Sequence, residues 1–218
     1  MNNTKPLFVI AFSLSSLFSS FNALAHGSHD HSHPQSEKAI QASKGIFEDS
    51  DVKDRKLSDW DGIWESVNPL LLSGKLDPVL EKKAKTNKDK SVEEYRTYYK
   101  KGYATDVNNI NIENNVIEFN KNDQLSRCEY HYSGFKILHY ASGKKGVRYL
   151  FECQDTASKA PKFIQFSDHI IEPQVSTHFH LYMGNESQEK LLQEMDNWPT
   201  YYPYSLNDKQ VVDEMLHH

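Results

Sequence analysis

The sequence predicts a mostly β protein of the α+β class, an antiparallel barrel or sandwich with a helical part ahead of it. Two observations carry that prediction. Helix-capping and helix-period signals crowd between Ser58 and Gly102. From about Asp106 onward the chain breaks into seven short runs rich in β-branched and aromatic residues, spaced as the strands of a closed or doubly layered sheet are.

The first 25 residues read as an export leader. Lys5 gives a positive start, Leu7 to Phe18 an apolar run broken only by serines, and Ala23-Leu24-Ala25 a small-x-small cleavage site. The apolar run is well short of the ~20 residues that span a bilayer, which disfavours a membrane anchor. Cleavage would start the mature chain at His26, in an exported protein. Of the 25 basic residues only Lys5 is lost, so 24 remain against 30 acids, a formal charge of −6. No basic stripe is left to follow a phosphate backbone, which argues against nucleic acid.

Residues 26–50 are expected to be a solvated, His-rich tail, because their polarity leaves too little to bury. Residues 51–218 then form a single domain, with order beginning near Leu57. Trp60, Ile63, Trp64, Val67, Leu70 and Leu71 recur at helical spacing behind the cap Ser58, which predicts a helix ending near Gly74. Asp77-Pro78 opens a second helix, and Ser91-Val92-Glu93-Glu94, with capping-box spacing, a third through about Gly102.

Strands are predicted over residues 107–112, 115–119, 125–132, 136–141, 147–153, 163–170 and 177–183. Asn114-Asn115, Asn122-Asp123, Ser133-Gly134, Gly143 to Gly146 and Pro173 provide turns. Two helices follow, one through Leu191 to Met195 and one capped by Asn207 with Gln210 three residues on. The two cysteines, Cys128 and Cys153, meet oxidising conditions in an exported chain and are expected to form a disulfide. A pair of metal ligands is the alternative, although neither belongs to a C-x-x-C or C-x-x-H pattern.

The chemistry sits in Lys162 to Gly184, KFIQFSDHIIEPQVSTHFHLYMG. If Glu172 to Val175 close a hairpin, paired positions sum to 347. His169 then opposes His178, and Ser167 opposes His180. Directly opposed residues share a face with Cβ atoms roughly 4.5–5.5 Å apart, and residues two apart on a strand share it too. His169, His178 and His180 therefore converge, while Ile164, Phe166, Ile170, Phe179, Leu181 and Met183 collect on the other face as a core layer. A slip by one residue would separate His169 from the other two. Three imidazoles with an open fourth position suit zinc, and copper(II) by affinity order. Asp168 points to the far side and is not counted as a ligand. His26, His29, His31 and His33 form a weak auxiliary metal collector, and one of them, or His217 or His218, could occupy the open fourth position. His131 and His139 are read as structural.

The blocks LSDWDGIWESVNPLLLSGKLDPV (57–79), YYKKGYATD (98–106), SGKKGVRYLFEC (142–153), APKFIQFSDHII (160–171), HFHLYMGN (178–185) and NWPTYYPY (197–204) closely resemble the ZinT (YodA) family of periplasmic metal-binding proteins. That resemblance covers essentially the whole chain. It implies a calycin-like, lipocalin-related β-barrel with added helices. It also implies binding of zinc, or cadmium in its place, by His169, His178 and His180. The implied partner is the zinc importer ZnuABC, reached through its soluble binding protein ZnuA.

The expected function is thus zinc capture and delivery without catalysis. A zinc hydrolase on the same open site is the alternative, although no H-E-x-x-H helix supplies a proton-transfer group. A carrier of an apolar ligand is a third reading, and it leaves the histidines without a task.

Overall fold

The computed structural model describes residues 36–217. The expected leader, the four tail histidines and His218 lie outside the described residues. Regular structure lies within the stretch expected to be a solvated tail. Ser36 caps helix α1 (Glu37–Ser43) by accepting from the Ala39 amide, and Ala42, Phe47 and Val52 are buried. The expected boundary at residue 50 is therefore corrected. A few apolar side chains in a polar stretch suffice once the barrel offers them a surface, because burial of each is favourable by ~25 cal/mol per Å².

The predicted helix from Ser58 is a second correction. Residues Leu57–Trp60 make a short 3₁₀ turn, Gly62–Ser66 form strand β1, and only Asn68–Leu72 are helical, as α2. Trp60 and Trp64 are four apart, a spacing that keeps two side chains on one face in a helix and in a strand alike. Gly62 decides between them: its φ of +138° is incompatible with a helix. The Trp64 indole then donates to the Trp60 carbonyl at 2.8 Å.

Helices α3 (Asp77–Asn87) and α4 (Val92–Gly102) form where expected. Pro78 stands in the first turn of α3, and a reciprocal Ser91–Glu94 box starts α4. They pack with α2 and the last helix on a separate apolar cluster that includes Leu71, Leu80, Tyr95, Val211 and Met215.

Eight antiparallel strands close into a barrel in chain order. After β1 come β2 (Val107–Glu113), β3 (Val116–Lys121), β4 (Gln124–His139), β5 (Lys145–Cys153), β6 (Phe163–Ser167), β7 (Phe179–Gly184) and β8 (Thr200–Pro203). The runs 125–132 and 136–141 are one long strand, because Ser133-Gly134 makes a bulge rather than a turn. Gly134 takes φ +100° and the register shifts there. Strand β8, hidden in a Pro-flanked aromatic run, was not predicted; it pairs with β1 and, at two positions, with β7. Helix α5 (Gln188–Leu192) starts three residues before the expected position, at the Ser187 cap. Helix α6 (Asp208–His217) begins at the Asn207–Gln210 box.

The barrel interior is filled with side chains. Ile117, Phe119, Tyr149, Phe151, Ile164, Phe166, Phe179, Leu181 and Tyr201 are all at most 1% exposed, and burying such a residue contributes roughly 1.5–3 kcal/mol. Trp60 reaches into this core and stacks on Phe166, ring centroids 4.7 Å apart. No helix among the described residues is long and apolar enough to cross a membrane.

Candidate metal centre

Strands β6 and β7 pair in the predicted register, from Phe163↔Gly184 to Ser167↔His180. The ladder stops there, and residues 168–178 form an irregular loop instead of extending it. Ile171 rather than Ile170 therefore turns into the core. His169 takes φ +64°, a left-handed conformation that His adopts more readily than most residues but that still constrains the site.

The three histidines are nonetheless gathered. Ring centroids lie 5.4 Å apart for His169–His180, 5.9 Å for His169–His178 and 6.1 Å for His178–His180. Imidazoles ligating one tetrahedral ion at 2.0–2.1 Å would have centroids about 5.2 Å apart, so the cluster is open by less than an ångström. The Nε2 atoms of His169 and His180 are 3.4 Å apart, about the edge of such a tetrahedron. Among the described residues no group of three or more His, Cys, Asp or Glu side chains is already closed to coordinating spacing.

Each imidazole has a different support. His180 Nδ1 is 2.8 Å from Thr200 Oγ1 on β8, and that hydroxyl donates onward to the Trp198 carbonyl. The hydroxyl proton is thereby committed, so His180 carries its own proton on Nδ1 and presents the Nε2 lone pair, the arrangement typical of a metal-ligating histidine. His178, 8% exposed, lies face to face with Tyr202, at 5.1 Å and 12° between planes. Burial pushes the Tyr202 phenol well above its ordinary range, so the supporting ring stays neutral. His169 is exposed. With His180 it lines a cavity of about 400 Å³ beside Tyr98, Tyr140, Met195 and Trp198.

The remaining candidates separate cleanly. Asp168 is buried and ion-paired with Arg55 at 2.7 Å. Cys128 and Cys153 are joined as a disulfide, at the end of β5 away from the histidines, so the metal-ligand alternative for them falls. His131 and His139 are exposed on β4. Sequence reasoning missed Thr200 and Tyr202, which come from the unpredicted β8, and Arg55, which stands in a stretch without periodicity.

The described residues thus form a closed eight-stranded antiparallel barrel with added helices and three histidines gathered beside the end of the β6–β7 ladder. The chain belongs to the ZinT family: the family model described as "ZinT (YodA) periplasmic lipocalin-like zinc-recruitment" matches residues 37–218. The Zn(II)-bound crystal structure of AdcA from Streptococcus pneumoniae is 47% identical, with a TM-score of 0.80, over 84% of this chain and 40% of that one. The separate Zn(II)-bound ZinT-like domain of that AdcA is 48% identical, with a TM-score of 0.78, over 80% of this chain and 97% of the domain. The probable metal-binding protein YrpE of Bacillus subtilis is 46% identical over 84% of this chain and 72% of its own length. The chain spans about two-fifths of the AdcA proteins it matches.

Proposed function

We propose that this chain captures Zn(II), or Cd(II) in its place, on His169, His178 and His180 in the periplasm, and passes it on without catalysing a reaction. The observation that carries the reading is the convergence of three imidazoles, one of them with its Nδ1 held 2.8 Å from the Thr200 hydroxyl. The solved relatives, whose titles name bound zinc, support the choice of metal. Three neutral imidazoles hold a divalent ion firmly, while an open fourth position permits ligand-by-ligand exchange with an acceptor. The acceptor proposed is the soluble binding protein of a zinc importer, the role ZnuA has in ZnuABC. Residues 1–25 are proposed to be removed on export, and His26, His29, His31 and His33 to gather zinc weakly.

The test is zinc titration of His169→Ala, His178→Ala and His180→Ala in protein lacking residues 26–33. Each substitution should abolish tight one-to-one binding and leave the barrel folded. Unchanged affinity in His178→Ala would overturn the assignment. Transfer is tested separately, by mixing zinc-loaded protein with the metal-free importer binding protein and following the zinc.

A further inference from the structure

We infer that Arg55 is a positioning residue of the metal centre, shaping the 168–176 loop so that His169 and His178 come round to His180. The inference rests on the three-histidine reading above. Arg55 is 1% exposed and far from the histidines in sequence. Its Nη1 donates to both Asp168 oxygens, at 2.7 and 2.9 Å, and approaches the Ile170 carbonyl at 3.5 Å. Its Nη2 donates to the Gln174 carbonyl at 2.7 Å, and its Nε to Asp59 at 2.8 Å. One planar group therefore grips the residues on both sides of His169 and the loop's far turn.

The neighbours complete the fixture. Asp59 accepts from the Gln174 amide at 3.3 Å, and its carbonyl accepts from the Ser176 amide at 2.8 Å. The Lys53 amide donates to the Ile171 carbonyl at 2.8 Å. Ser176 in turn donates its hydroxyl to the His178 carbonyl at 2.7 Å. The guanidinium is itself immobilised, its carbon 4.0 Å from the Trp60 ring centroid, with Trp60 stacked on Phe166 beyond.

A buried ion pair is a weak source of stability, since desolvation offsets most of the attraction. What the rigid fork of an arginine supplies is direction. Here the direction is spent on a loop whose ladder has ended and which holds His169 at φ +64°. Lysine, with a single ammonium on a flexible stem, cannot meet Asp168, Asp59 and the Gln174 carbonyl together.

The experiment compares Arg55→Lys and Asp59→Asn with the unsubstituted full chain. Zinc affinity is measured by competition with a chromophoric chelator, and site geometry by the visible absorption of the Co(II)-loaded protein. Both variants should lose about ten- to a hundredfold in zinc affinity, the range for groups that orient metal ligands. The Co(II) bands should shift, while far-ultraviolet circular dichroism of the metal-free proteins stays unchanged. Folded variants with unaltered affinity and Co(II) spectrum would overturn the inference. If Arg55→Lys does not fold, the milder Asp59→Asn decides, and failure of both to fold would make Arg55 a core residue only. His178→Ala is run alongside: if it too keeps its zinc, the three-histidine reading fails, whereas its loss of zinc beside normal Arg55 variants sinks only the positioning role.

Discussion

His180 and Thr200 face each other across β7 and β8, ring nitrogen to hydroxyl at 2.8 Å. Because the hydroxyl proton goes to the Trp198 carbonyl, this contact selects which imidazole nitrogen is left for a metal. Thr200→Val keeps the shape and removes the acceptor. Zinc affinity should drop about tenfold or more with the fold retained, as read by chelator competition. A valine variant with unaltered affinity would show that the ring is oriented by packing alone.

Acid should release the metal. A ligating imidazole must be neutral, and its unperturbed pKa is ~6.5. Protons compete for the ligands once the pH falls through that value, so affinity is highest above it and declines below about pH 6. With three imidazoles the slope should exceed one proton per zinc. Isothermal titration from pH 8 to 5 on protein lacking residues 26–33 checks this, and a flat profile would exclude three titrating imidazoles.

Removing Asp168 should hurt stability far more than a surface change would. Its side chain and that of Arg55 are both inaccessible to water. Asp168→Ala leaves a buried guanidinium without its principal counter-charge, a loss of about 3–5 kcal/mol. Denaturant unfolding of the metal-free protein measures it, and a loss below about 1 kcal/mol, the scale of a surface ion pair, would mean that water reaches Arg55.

The disulfide and the metal should be separable. Cys128 and Cys153 close 25 residues of chain, worth about 3 kcal/mol in the chain-entropy model. The double serine variant should therefore unfold at lower denaturant. Its tight zinc should remain, because the bridge sits at the opposite end of β5 from the hairpin loop. Loss of zinc by folded double-serine protein would tie the two ends of the barrel together.

What the sequence made legible was local and periodic. The β6–β7 register follows from alternation in FIQFS and FHLYMG, since one face had to bury Ile164, Phe166, Phe179 and Leu181. Capping boxes located α4 and α6 because their hydrogen bonds span only three residues. The features that escaped depend on partners distant in the chain. Trp60 and Trp64 satisfy both periods, and the positive φ of Gly62 together with the sheet neighbours of β1 settles the choice. Thr200 and Arg55 are ordinary polar residues until the barrel closes and brings them to His180 and Asp168.

The joint between β7 and β8 is paired at two positions only, Phe179↔Tyr201 and His180↔Thr200. It is the shortest seam in the barrel wall, and a stave held by so few backbone bonds is the one expected to part first in local unfolding. His169, His178 and His180 all lie on the β7 side of that seam, so an ion bound to them would act on β8 only through the contact of His180 with Thr200. Metal that fixes the His180 ring would steady its Thr200 partner as well, so loaded protein should exchange the Thr200 and Tyr201 amides more slowly than emptied protein.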